Sequence, residues 1–489
     1  MNLHLLPRLI MRPLPADLRA ELPSLAALLL LGLAAGLLGS LFFVATEVAQ
    51  WALLEQLVGY RPLRALGETF EAVHGQPRPD YRPWLLPIVT GLGGLVGGLI
   101  CTLAPETQGG GGGNAMIADY HRDGAPMRLR VLGVRALAST IVLGSGGSGG
   151  REGPTMQMGG VLGAAIARLF RLKPSQRRIL YLAGVAAGIA AVFRTPLGAA
   201  LLAVEIVYHD DFAADALVPA ILASVVAYAT AVALLGDSTL FGPLPRFRVE
   251  MRHLPLFACM AVILSGVAAL FASLLHRTHK AFESLPGPVW LRPALGGLLL
   301  GLFCLPILAY AGTNGQGMGL LGPSYGAAQL AITGATWLAP GWGQVRVLVL
   351  LAVLKMVASL LTVGSGASTG DFAPSLIIGA LAGSAFGHAA TLLLDEPSLQ
   401  PGAFALVGMA TFYGGLAHVP LTILVMVCEL AGSYELLVPL MLAGGIAVVL
   451  LRRQSLYPAQ APSQHHVWEQ RARAAEPGGE AATPKMDGD

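Results

Sequence analysis

Two stretches of equal length carry most of the chemistry open to this sequence: Gly144–Pro154, reading GSGGSGGREGP, and Gly364–Pro374, reading GSGASTGDFAP. Each crowds glycine before a charged residue and then opens into an apolar, helix-like run; a third glycine run, Gly109–Gly113, precedes Asn114. Glycine permits φ > 0 and close approach of the backbone to a ligand. The free N–H groups at a helix start, with roughly half a positive charge, hold an anion without a full cation that would bind it too tightly for release. The pattern therefore points to reversible binding of a small dehydrated anion. Glu152 is an ionisable side chain at such a helix start, where its carboxylate would imitate the anion. A plainer reading is that the glycines serve only tight helix packing. The segment Gly146–Gly150 also satisfies G-x-S-x-G, making Ser148 a formal candidate for the nucleophile of an intramembrane serine hydrolase. That chemistry needs a preceding strand and a partner histidine, whereas here an apolar span precedes it and Ser368 has an equal claim.

The elements that position these residues belong in a membrane. Of 489 residues, 54% are hydrophobic and only 12% charged, against roughly 25% charged in a soluble globular protein. Leu25–Val44, Pro255–Leu275 and Val347–Val363 carry little or no charge, and each approaches the ~20 residues that cross a bilayer as a helix. A net charge of +3 without a basic, aromatic-rich run argues against nucleic acid as a partner. Cys101, Cys259, Cys304 and Cys428 lie in apolar stretches without metal-ligand spacing and read as small core residues; no metal and no cofactor is expected.

Residues 1–22 contain Arg8, Arg12 and Arg19 among scattered prolines and read as a cytoplasmic amphipathic lead-in. Arg452, Arg453, Arg471 and Arg473 follow the last apolar span and place the C-terminus in the cytoplasm as well. Between these ends, 23–458 is expected to form the transmembrane domain, and 459–489 a disordered tail rich in Pro, Gly, Gln, Glu and Ala.

An internal repeat organises the membrane part into halves of about 23–237 and 254–452. Trp84, Leu85, Pro87 and Gly91 match Trp290, Leu291, Pro293 and Gly297; Thr107, Gly109, Gly111 and Gly113 match Thr313, Gly315, Gly317 and Gly319. The two glycine-rich stretches then align. Further on, Leu182, Gly184, Ala186, Pro196, Leu197 and Glu205 match Leu406, Gly408, Ala410, Pro420, Leu421 and Glu429. Transporters often place their site between such repeats, on discontinuous helices. The repeat itself leaves open whether the halves run parallel or inverted.

From Leu25 to Tyr457 the sequence resembles the CLC chloride channels and proton-coupled chloride antiporters, through GREGPTMQMGG, GDFAP and the tyrosine of SLYP. The resemblance implies an all-α integral membrane fold of two inverted repeats, with about eighteen tilted and broken helices per subunit. It also implies a homodimer in a bacterial-type plasma membrane, in contact with lipid, with one anion pathway per subunit. Glu152 would be the gating carboxylate, steadied by Arg151. The amides of Asp371 and Phe372 and the Tyr457 hydroxyl would hold the anion. Gly111 and Gly112 stand where the family usually has an anion-contacting serine, so a hydroxyl donor is lost there. Asp371 replaces a usually apolar residue, and its side chain is expected to point away from the anion or to pair with a cation. The position of the family's internal proton-relay glutamate is Ile206; Glu205, matched by Glu429, has a packing or capping role as its first reading, and with His209 and Asp210 offers a substitute proton entrance. These residues favour a non-enzymatic passive channel or weakly coupled transporter for chloride or a similar small anion, with obligate proton/chloride antiport as the alternative.

Overall fold

The computed structural model describes residues 16–68, 79–122, 129–237, 239–311, 314–335, 337–338 and 340–467, with side chains from residue 24 onward. Most of the 1–22 lead-in and all of 468–489 therefore lie outside the described residues. Within them the chain is helical, and the helices fall into two equivalent series. The first is α1 (Ala16–Gln50, running on as a π-helical turn, Trp51–Val58), α2 (Leu85–Cys101), α3 (Gly113–His121), α4 (Arg130–Gly144), α5 (Glu152–Leu169), α6 (Pro174–Phe193), α7 (Pro196–Glu205) and α8 (Leu217–Leu235). The second is α9 (Leu254–Glu283), α10 (Arg292–Tyr310), α11 (Tyr325–Thr333), α12 (Trp342–Val363), α13 (Phe372–Leu394), α14 (Pro401–Ala417), α15 (Pro420–Ala431) and α16 (Leu437–Leu450).

Among the described residues, seven helices are long and apolar enough to cross a bilayer, and five more are shorter and apolar. Their outer faces stay greasy: Leu37 and Leu41 on α1, Val218 and Leu222 on α8, Val262 and Ile263 on α9, and Val349 and Leu350 on α12 are all exposed. In water such a belt would be an aggregation surface, whereas in lipid it is the natural boundary. Cys259 belongs to this exposed face of α9 rather than to the core, unlike the three other cysteines. An apolar sequence does not distinguish a lipid-facing position from a buried one.

Glycines decide how closely the helices approach. A Cβ on Gly159 of α5 would lie 2.1 Å from the Gly184 carbonyl of α6, and one on Gly184 would lie 2.1 Å from the Gly159 carbonyl. The repeat mates interlock likewise: a Cβ on Gly379 would meet the Gly408 carbonyl at 2.5 Å, and one on Gly408 the Gly379 carbonyl at 2.4 Å. These are backbone-to-backbone seams that admit no side chain.

The contacts between mates fix the relation of the halves. Late in α2, Gly98 presses on Trp290 just before α10, while midway along α10, Gly301 presses on Pro87 early in α2; the equivalent helices run antiparallel. Gly150 and Gly370 form an antiparallel bridge, each N–H donating to the other's carbonyl at 2.8 Å. Glu205 at the end of α7 caps the start of α15, accepting from Leu421 N at 3.0 Å and from Thr422 N and Oγ1 at 2.8 and 2.7 Å. Glu429, its mate, caps α7 through Leu197 N at 3.1 Å and Gly198 N at 2.8 Å. Contacts made reciprocally, a residue of one half meeting a partner in the other while their repeat mates meet in the same way, are the signature of a two-fold relation, and the halves are inverted repeats.

The chain beyond Tyr457 is ordered further than its composition suggests. Ala459 N donates to Asn114 Oδ1 at 2.9 Å, His209 N to Ala461 O at 2.8 Å, and Gln464 N to Asp211 Oδ2 at 2.9 Å. The start of the expected disordered tail, 459–467, is thus fastened to the helical body.

Candidate functional site

Three helix starts converge where the two halves meet. The bridge of Gly150 to Gly370 sets the first turns of α5 and α13 side by side. α3 joins them because Gly112 has φ +105°, a left-handed conformation, and no room for a side chain: its Cβ would be 2.7 Å from the Gly153 carbonyl. A Cβ on Gly111 would lie 1.9 Å from the Thr369 carbonyl. The glycines in place of a serine are therefore also packing requirements, as the plainer reading of the glycine runs has it.

The Glu152 carboxylate fills the convergence point. It is 1% exposed, and its Oε1 accepts from Phe372 N at 2.8 Å and Ala373 N at 3.3 Å, the free donors at the start of α13. Oε2 has no hydrogen-bond partner among the described residues. A carboxylate of one half is thus held as an anion by the helix start of the other. Phe372 walls the spot, its ring edge-on to Phe193 at 5.4 Å and to Tyr413 at 4.5 Å between centroids.

Arg151 does not steady Glu152. It pairs with Glu47 and, at 3.4 Å, with Glu68, and its guanidinium lies 4.7 Å from the centre of the Phe43 ring. Arg64 continues this buried network to Glu47 at 3.0 Å and Glu55 at 2.5 Å.

Asp371 departs from expectation as well. Its carboxylate neither points away nor pairs with a cation: Oδ1 accepts the Tyr457 hydroxyl at 2.7 Å, and the Tyr457 oxygen lies 3.3 Å from the Tyr413 hydroxyl. As the residue preceding α13, Asp371 complements the same helix start that Glu152 approaches. The Tyr457 donor foreseen for an anion is occupied by a side chain of the protein. Asp371, Tyr457, Gly111, Gly112 and Arg135 line a cavity of about 400 Å³.

Glu205 has both oxygens committed to capping α15, which leaves it a structural acid. Ile206 is fully buried, and its carbonyl accepts from Gln460 Nε2 at 3.0 Å. His209 stands apart from the Glu152 cluster, at the returning C-terminal segment. Its Nε2 lies 2.9 Å from the Arg452 carbonyl, its Nδ1 3.1 Å from Asp210, and its ring 3.7 Å from that of buried His418.

A pair of buried cations went unread in the sequence. Arg135 of α4 and Lys355 of α12 are 220 positions apart, as are Ser148 and Ser368, so each pair consists of repeat mates. Arg135 donates to Ser368 Oγ at 3.0 Å, the Gly110 carbonyl at 2.5 Å and Gln157 Oε1 at 2.7 Å. Lys355 donates to Ser148 Oγ at 2.9 Å and to the carbonyls of Gly322 at 3.3 Å and Leu320 at 3.5 Å. Each cation crosses to the serine of the other half and pins a glycine-rich loop. A single cation at the same register of two apolar spans was the available signal.

Among the described residues, Ser148 lacks the partner histidine that the G-x-S-x-G reading asks for: it is fully buried, its Oγ lies 2.9 Å from Lys355 Nζ and 3.2 Å from Ser359 Oγ, and its mate Ser368 takes an arginine at the same place.

Inverted halves, a lipid-facing belt and a buried carboxylate held by helix-start N–H groups define a multi-pass membrane protein built to handle small anions. The chain belongs to the voltage gated chloride channel family, whose model matches residues 92–452. It is 32% identical over 335 residues to the H(+)/Cl(−) exchange transporter ClcA of Vibrio campbellii, covering 67% of this chain and 68% of that one. It is 30% identical over 346 residues to the protein of the same name from Yersinia pestis, covering 70% and 69% respectively. Among solved structures it is similar to a slow cyanobacterial Cl−/H+ antiporter, with TM-score 0.73, 23% identity and coverage of 88% of this chain and 94% of that one. It is also similar to a CLC-type fluoride/proton antiporter, with TM-score 0.69, 22% identity and coverage of 91% and 99%.

Proposed function

We propose that this protein exchanges chloride for protons across a bacterial plasma membrane, as a homodimer with one pathway per subunit and both termini in the cytoplasm. The observation that carries the reading is the Glu152 carboxylate seated on the N–H groups of Phe372 and Ala373. A permeating anion needs those same donors, so anion and ionised Glu152 exclude one another, while protonation weakens the hold of the carboxyl and frees the site. One group thereby carries a proton in one direction and admits an anion in the other. The names of the ClcA relatives support exchange over the passive channel or weakly coupled transport that Ile206 favours. Orientation rests on the arginines flanking the membrane part.

The test is uphill transport. Proteoliposomes given an outward chloride gradient and no pH gradient should move protons inward against the gradient that then builds up, with fluoride and phosphate passing poorly. Chloride efflux that leaves internal pH unchanged when the voltage is clamped would select the channel reading, and absence of anion efflux at any pH would refute both.

A further inference from the structure

We propose that Asp371 is the inner proton carrier of this chain: it takes up a proton from the cavity when an anion binds beside Tyr457, doing at the start of α13 what the side chain of Ile206 cannot do. The inference rests on the exchange reading above and names a coupling residue within it.

Four observations converge on it. Tyr457 has one hydroxyl proton, and it is donated to Asp371 Oδ1 at 2.7 Å, so an anion that takes this donor must displace the carboxylate from it. Asp371 and Glu152 belong to the same helix start, Asp371 as the residue before it and Glu152 on the N–H groups of Phe372 and Ala373. Asp371 lines the 400 Å³ cavity, whereas Glu152 does not, so the two carboxyl groups meet different surroundings. Glu205, the nearest acid in sequence to the vacant relay position, is spent on three hydrogen bonds to α15.

The charged and titratable groups around Asp371 leave it free to change charge. Tyr457 holds it, and Tyr413 of α14 contacts Tyr457. Glu152 of α5 lies across Gly370, where a Cβ would come within 2.2 Å of its Oε1. Arg135 of α4, Arg122 after α3, and His276 and His279 of α9 line the same cavity. Arg135 is committed to Ser368, Gly110 and Gln157, His276 to Ala272 O and His279 to Gly364 O and Glu283. No ion pair neutralises Asp371 among the described residues, so an arriving anion meets an uncompensated carboxylate unless a proton accompanies it. The proton adds to one Asp371 oxygen, the Tyr457 hydroxyl turns to the anion, and the balance of charge at the α13 start is unchanged.

The test measures protons bound with chloride, which separates this residue from Glu152. Purified full-length protein in weakly buffered detergent is titrated with chloride at several values between about pH 5 and 8, with proton uptake read by a pH electrode and binding by calorimetry. E152Q should still take up close to one proton per chloride in the upper part of that range, and E152Q/D371N close to none while still binding chloride. In liposomes, D371N alone should lower the number of protons moved per chloride severalfold, whatever its absolute anion flux. Chloride binding to E152Q without proton uptake, equal uptake in the double variant, or no chloride binding to E152Q anywhere in the range would each overturn the proposal. Absence of uphill exchange in the wild type with proton uptake intact in E152Q would instead refute the exchange reading and leave Asp371 as a proton-linked anion site.

Discussion

Replacing Glu152 by Gln tests the central competition with almost no change of shape. Gln keeps an acceptor for Phe372 N and Ala373 N but loses the charge. A hydrogen bond to a charged group contributes about 1.5–3 kcal/mol, against about 0.5–1.5 kcal/mol for a neutral one. Across the two bonds at 2.8 and 3.3 Å, the second long and therefore weak, the side chain's hold on the site falls by about 2 kcal/mol. A competing anion gains what the side chain loses, so chloride should bind E152Q roughly 30-fold more tightly than the wild type at a pH where Glu152 is ionised. The sign with pH follows: wild-type affinity rises as pH falls and the carboxylate is neutralised, and the advantage of E152Q shrinks in step. Calorimetric chloride titrations at high and low pH check the affinities, and flux against the pH on the side away from the Asp371 cavity checks the gate. Equal affinities at high pH, or an E152Q flux as sensitive to that pH as the wild type, would refute the reasoning and leave Glu152 a helix-start residue without a gating role.

Other perturbations follow from the same geometry. E205A leaves two N–H groups and a hydroxyl at the start of α15 without an acceptor and should cost about 2–4 kcal/mol, seen as a lowered melting temperature in detergent; E429A should do the same to α7 by a similar amount. R151M removes the cation shared by Glu47 and Glu68, leaving Glu47 with Arg64 alone, and should cost about 3–5 kcal/mol, with R151K recovering only part because a compact ammonium does not reach both carboxylates as the two ends of a guanidinium do. G159L drives a side chain into the Gly184 carbonyl and should abolish folding, with no monodisperse protein in size-exclusion chromatography, whereas G133L, which faces open space, should not. Ser148 should resist a fluorophosphonate label under conditions that modify a serine hydrolase.

The repeat, the helix starts and the position of Glu152 were legible in the sequence because glycine, proline and a lone acid in an apolar run have few structural uses in lipid. Side-chain direction was not. Arg151 adjoins Glu152 in sequence, yet successive residues at a helix start point different ways, and its partners Glu47 and Glu68 lie far back in the chain. Asp371 was expected to avoid an anion site because like charges repel; the Tyr457 hydroxyl supplies the compensation, and that pairing spans 86 positions. Lys355 and Arg135 were overlooked because each looks like an isolated exception until the register of the repeat is applied to it. The order of 459–467 escaped composition because it comes from backbone bonds to 207–211 and Asn114, which any residue type can make.

The bridge between Gly150 and Gly370 has a consequence for biogenesis. The seat of the Glu152 carboxylate is built from N–H groups more than two hundred residues downstream, and the loops that shape it are pinned by cations from the opposite half. A chain emerging N-terminus first into the membrane therefore holds the carboxylate long before it holds the seat. A ribosome stalled anywhere before α13 leaves Glu152 without the N–H groups of Phe372 and Ala373. The carboxylate and its seat come together only once Gly370 has reached Gly150 and closed the bridge between the halves.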